Sequence, residues 1–160
     1  TTRAPVLFNL GYFTFPTGFL TAVKQASARK NGVAIDSLSW EFTVMQQAEH
    51  HIKESPADGV YVKNMYLEGA GFDERNGCLI EPKPMELTVR MPPIWFKPSE
   101  TKKKSSKNIY VCPSYYYSER SSSFVVEVDL KTSSSNKDQH LTPPEHWIKR
   151  GTAMILSLDN

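Results

Sequence analysis

Few residues in this 160-residue chain are of types that do chemistry, and their spacing decides what each can do. Glu49, His50 and His51 put a carboxylate beside two imidazoles. Adjacent histidines project in different directions on a helix or a strand, so a metal would need two further ligands from elsewhere. His140 and His146 read as loop residues. A nucleophile needs Ser or Cys with a base and an orienting group. The serines instead fall in runs, Ser121-Ser122-Ser123 and Ser133-Ser134-Ser135, which read as solvated turns. Cys112 lies in an apolar strand before Pro113 and reads as a small core residue rather than a reactive thiol. There is no Gly-x-x-x-x-Gly-Lys-Ser/Thr phosphate loop and no dinucleotide fingerprint. Gly69-Ala70-Gly71 follows a strand with no helix after it, which favours a bulge or a close backbone approach. No catalytic, cofactor-binding or metal-binding residue is nominated.

Two features point to binding instead. Lys102, Lys103, Lys104 and Lys107 form a basic loop, a candidate interaction loop whose plainer reading is a solvated tip. Tyr115-Tyr116-Tyr117 could stack bases, although alternate residues of a strand face opposite ways and at least one should be core. Together they give an alternative function, a stand-alone β-barrel nucleic-acid-binding module. The formal net charge of +2 does not demand a polyanionic partner.

The elements that must position these residues follow from periodicity. Val6 to Leu10 is a short apolar piece. A helix is predicted over Thr17 to Asn31, with Pro16 and Thr17 as start signals and Asn31-Gly32 as C-cap. Phe19, Leu20, Val23 and Ala26 make its apolar stripe. Gln46 to Glu54 is a weak second helical candidate that could equally be a loop. The period then changes to two: Leu38, Trp40, Phe42 and Val44 alternate with polar residues. Further strands are expected over Gly59 to Leu67, Cys78 to Ile80 after an Asn76-Gly77 turn, Met85 to Met91, Ile94 to Phe96, Ile109 to Tyr117, Phe124 to Leu130 and Trp147 to Leu158, the last with Gly151 at a bulge. The expected fold is α+β, one domain: a leading segment and helix over 1–34, then an antiparallel, incomplete β-barrel of about six to seven strands over 35–160. The connections Ser99 to Lys107 and Lys131 to His146 are long, and 101–107 and 133–139 are expected to be mobile. Two cysteines, Cys78 and Cys112, make no disulfide framework and favour a reducing compartment. No apolar run approaches ~20 residues, so no membrane helix is expected. The chain starts at Thr1 rather than Met and is expected to be a piece of something longer.

Gly11-Tyr12-Phe13-Thr14-Phe15-Pro16-Thr17-Gly18-Phe19-Leu20-Thr21-Ala22 resembles the hydrophobic segment near the end of dynein heavy chains. The likeness continues in order through Ala28-Arg29-Lys30, Ile35 to Leu38, Gly59 to Val62, Tyr66 to Ala70, Met91-Pro92-Pro93-Ile94, Lys97-Pro98, Tyr110 to Pro113 and Trp147 to Ala153. Gly59-Val60-Tyr61 and Tyr66-Leu67-Glu68 look more like axonemal than cytoplasmic members. Gly71-Phe72 and Tyr116-Tyr117 depart from the pattern. The resemblance implies the last helix and the β-barrel of the C-terminal domain, a part without ATP chemistry of its own that lies on the motor ATPase ring and modulates minus-end-directed movement along microtubules. It implies ATP and Mg only in the ring of the parent chain, a parent complex with microtubules and dynein intermediate and light chains, no membrane partner, and a cytoplasmic, cytoskeletal location in the axoneme of a cilium or flagellum. Phe13, Phe15, Phe19, Trp40, Phe42 and Trp147 are expected as packing anchors, with the aromatic stretch fixing the helix against the barrel and the ring.

Overall fold

The computed structural model describes residues 6–45, 51–75, 77–100, 109–116, 124–132 and 144–156. Its main helix, α1, spans Pro16–Asn31. Pro16 suits the first position because its missing N–H would have no intrahelical partner there. Gly32 stops the helix in the left-handed region at φ 65, its N–H directed to the carbonyls of Ala28 and Arg29. Arg29 and Lys30 occupy the last turn, where the negative end of the helix dipole favours cations. Leu20, Ser27 and Ala28 are buried, and Phe19 and Val23 pack against the core from its rim.

The small sheet contains β1 (Leu7–Asn9), β3 (Val60–Lys63), β8 (Ile94–Ser99) and β2 (Ser39–Val44), in that order across it. β8 pairs antiparallel with β2, Phe42 opposite Phe96, and with β3, Val60 opposite the same Phe96. β1 runs parallel to β3. The large sheet holds seven strands: β4 (Tyr66–Glu68), β5 (Gly71–Asp73), β6 (Cys78–Ile80), β7 (Thr88–Arg90), β9 (Ile109–Tyr115), β10 (Val126–Lys131) and β11 (Ala153–Ile155). Their order is β5-β6-β10-β9-β11-β4-β7, and β5 and β7, the two ends, come into contact, so the sheet is a nearly closed barrel. One core joins both sheets and the helix: Leu20, Phe42, Val62, Leu67, Phe96, Val128 and Trp147 belong to a single buried cluster.

The helix-plus-barrel reading holds, with four local corrections. The sheets are mixed: β1–β3, β6–β10 and β9–β11 are parallel pairs. The strand expected over Gly59 to Leu67 is two strands, one in each sheet, divided at Asn64, whose φ of 59 turns the chain. The strand expected from Met85 begins only at Thr88, because Met85 has φ 66 and cannot continue a pleat. The segment expected as a strand from Trp147 opens as helix α2 (Pro144–Arg150), with Gly151 as its left-handed stop before β11. Residues 46–50, in the weak helical candidate, lie outside the described residues, as do 101–108 and 133–143 of the two long connections.

Helix and small sheet are tied at Asp58-Gly59. One Asp58 carboxylate oxygen accepts from Ser27 Oγ at 2.9 Å and Asn31 Nδ2 at 3.3 Å, both on α1. The other accepts from the Gly59 N–H at 2.9 Å. The Asp58 carbonyl accepts from Trp95 Nε1 at 2.9 Å, on β8, and Lys30 Nζ bonds the neighbouring Ala57 carbonyl. Gly59 makes this possible: at φ +76 it passes so close to β8 that a Cβ would lie 2.1 Å from the Phe96 carbonyl oxygen. α2 is tied to the barrel at Glu81, whose carboxylate meets His146 Nε2 at 2.8 Å and Arg150 Nη1 at 2.6 Å. Burial opposes the charge on Glu81, but Arg150 and then His146 outweigh it and hold its carboxyl below the ordinary range.

Two outcomes are expected. Gly59→Ala should cost roughly 3 kcal/mol or more, because the obstructing atoms are backbone. Gly32→Ala, at a similar φ with open space around it, should cost about 1 kcal/mol. Chemical denaturation of both decides the matter, and equal losses would mean that the strand moves aside for the new methyl. Glu81 has a folded pKa below its unfolded one, so its contribution is present above the unfolded value and lost as pH falls through the folded value. The pair is half exposed and screened, so Glu81→Gln should lose under ~1 kcal/mol at neutral pH. That difference from wild type should vanish in acid, and its persistence there would assign the effect to packing.

Candidate functional site

The aromatic leading segment is the best-defined surface feature, and it is built in three steps. Asn9 Oδ1 accepts from the Gly11 N–H at 2.9 Å and caps a short 3-10 turn over Leu10–Tyr12. The Phe13 N–H closes that turn on the Leu10 carbonyl at 3.2 Å. From just past the end of β9 the Tyr116 hydroxyl then reaches the carbonyls of Gly11 at 3.2 Å and Phe13 at 2.9 Å, holding the segment to the barrel. The rings sort themselves on this frame. Phe13 turns inward and stacks on Phe19 at 4.3 Å between centroids, and Phe8 meets Phe19 at 5.0 Å. Tyr12 and Phe15 turn outward, 76% and 77% exposed.

Phe15 therefore does not sit where the sequence led us to expect it. A helical residue four before Phe19 would share its face, but Phe15 precedes the helix with φ −132 and ψ 79. That backbone rotates its ring off the stripe, and Phe13 takes the inward place. Of the other nominated anchors, Phe42 is buried edge-on to Phe96 at 4.8 Å. Trp40 lies between Phe96, at 6.0 Å, and Lys24 Nζ of α1, also at 6.0 Å. Trp147 is fully buried beneath Arg150, whose guanidinium lies 5.6 Å from its ring. The tie residues Asp58 and Glu81 were not singled out from sequence, and Tyr116 was singled out for base stacking rather than as a tie, because their partners are far along the chain and no local spacing marks them.

The candidate chemistry is dispersed. Lys102, Lys103, Lys104 and Lys107 lie outside the described residues, as do His50, His140 and Tyr117. His51 is exposed, and His146 is on α2 rather than in a loop. Among the described residues no group of His, Cys, Asp and Glu is arranged to hold a metal ion. Cys78 and Cys112 are both buried. No described helix is long and apolar enough to cross a membrane. An open cavity of about 470 Å³ beside the end of α1 is lined by Lys30 and Lys97 against Asp58 and Glu100, a charge-balanced rim. The Tyr116 hydroxyl is engaged on the leading segment, so this ring serves as a tie between elements.

The family model for the C-terminal domain of dynein heavy chains matches residues 1–156. Dynein axonemal heavy chain 2 of Homo sapiens is 51% identical over 163 residues, covering 99% of this chain and 4% of the relative. The Dynein-1-beta heavy chain of the flagellar inner arm I1 complex of Chlamydomonas reinhardtii is 50% identical over 159 residues, covering 96% of this chain and 3% of the relative. Dynein axonemal heavy chain 12 of Homo sapiens is 40% identical, covering 98% and 5%. The chain thus spans only a few per cent of the length of the curated relatives it matches. Matched almost from end to end, it belongs to the family formed by the C-terminal domains of dynein heavy chains, with its relatives among the axonemal ones.

Proposed function

We propose that this domain is a non-catalytic brace on the ATPase ring of its own heavy chain, modulating how the ring couples ATP hydrolysis to minus-end-directed movement along microtubules. The observation that carries this reading is the end-to-end family match on a fold made of packing joints: α1 knotted to β8 through Asp58, α2 to the barrel through Glu81, and the leading segment to the end of β9 through Tyr116. Such a body has the stiffness to transmit or resist strain between neighbouring parts of a larger machine. In this reading ATP and Mg act in the parent ring and not in this segment. In this reading the parent chain works in a complex with dynein intermediate and light chains on axonemal microtubules; the relatives' names speak of the axoneme and of a flagellar inner arm complex.

For the alternative, a nucleic-acid-binding barrel, Tyr116 is engaged within the fold, as expected of at least one of the three tyrosines, while Tyr117 and the four lysines lie outside the described residues.

The test compares the full heavy chain with one lacking residues 1–160. Basal ATP hydrolysis should persist, while microtubule gliding velocity per ATP hydrolysed changes about fivefold or more, the lower end of the range that couplings between sites carry. Unchanged velocity and unchanged stimulation by microtubules would refute the proposed role. Abolished hydrolysis would place the segment inside the catalytic cycle rather than beside it.

A further inference from the structure

We infer that the outward ring pair Tyr12 and Phe15 is the anchor by which this domain seats in an uncharged, apolar recess of the ATPase ring of the same heavy chain. The inference rests on the docking reading above and names the surface that reading lacks. Two large aromatics 76% and 77% exposed within four residues are an unfavourable feature on a free surface and the usual makeup of an interface centre. They are also held in advance. The Asn9 cap, the Leu10–Phe13 turn bond and the Tyr116 hydroxyl fix the backbone that presents them, so little conformational freedom is lost when they are covered.

The occupant follows from charge and from length. The run from Ala4 to Val23 contains no charged residue. The exposed residues of such a segment, Tyr12 and Phe15 among them, bring no charge of their own to a phosphate backbone or a strongly acidic partner, and they match an apolar recess. The chain makes up 4% of the length of the human heavy chain it matches at 51% identity, so the surface within tethered reach is overwhelmingly that of the parent chain. Two anchors are few for an association between free molecules. Within one chain they suffice, because tethering supplies a high effective concentration.

Hydroxyl-radical footprinting of the full heavy chain tests this, alongside the Tyr12→Ser/Phe15→Ser double variant and the heavy chain lacking residues 1–160. Both substituted side chains are exposed, so the domain keeps its fold in the double variant. In wild type, Tyr12 and Phe15 should be oxidised about tenfold more slowly than exposed aromatics, in keeping with the desolvated centre of an interface. The ring peptides uncovered by the deletion should also be uncovered in the double variant. Met85→Ser, at a fully exposed apolar residue on another loop, should uncover none of them. Oxidation of Tyr12 and Phe15 at exposed rates, with ring peptides still uncovered by the deletion, leaves docking standing and overturns this face as its anchor. A deletion that uncovers no ring peptide overturns the docking reading and this inference together.

Discussion

The architecture turns on a place where a side chain cannot be. At Gly59 the backbone passes so close to β8 that even a methyl group would collide with the Phe96 carbonyl oxygen. That approach delivers the preceding residue, Asp58, to a point where its carboxylate takes two donors from α1 while its carbonyl takes the Trp95 indole from β8. β3 then departs at once into register with the same β8. Helix placement, the start of a strand and the pairing of the small sheet are thus set within two residues. The apolar stripe of α1 supplies the area, but area alone is indifferent to rotation and sliding. Hydrogen bonds at a fixed point on the backbone supply the direction.

What could be read from the sequence depended on how local its cause was. α1 was legible because its start, most of its stripe and its stop lie between Pro16 and Gly32, although Ala26, expected on the stripe, is exposed and Ser27 and Ala28 are buried instead. β2 and β10 were legible because one face of each is buried and alternation records it. β1 and β11 are three residues long, too short to carry a period; β1 joins its sheet by a parallel pairing, and β11 pairs parallel with β9 and antiparallel with β4, far earlier in the chain, so neither leaves a turn signal. α2 was missed because Trp147 and Ile148 beside a glycine resemble strand, while the helix is held through Glu81, over sixty residues earlier, and through Arg150 bonding the Gly69 carbonyl at 3.2 Å. Met85 and Leu87 satisfied the alternation expected of a strand and yet stand fully exposed and 79% exposed, because the positive φ at Met85 takes them off the sheet.

The candidate site was half legible for a related reason. The concentration of rings between Phe8 and Phe19 was plain, and so was its role beside the helix. Which ring faces in was not, because that depends on whether Phe15 is helical, and the proline after it withdraws it from the helix by one residue. The ordered series of short matches to dynein heavy chains placed the chain in its family where no single motif could, and the family match runs over 1–156. The family assignment and the physical reading meet on one point: the described part of the chain invests its polar groups in joints between elements.

β11 is the last described strand in the chain and lies in the middle of the large sheet, between β9 and β4. All the other described strands leave the ribosome before it. Until Ala153–Ile155 emerges, no described strand hydrogen-bonds β4 and β7 to the β9–β10–β6–β5 half, and Met154 and Ile155, both fully buried, are missing from the interior. Closure is therefore a late event in biosynthesis, reached only after every other described strand of the domain has been translated. A message cut short anywhere before Ala153 yields a polypeptide whose large sheet lacks an interior strand, a defect that falls first on assembly and survival in the cell.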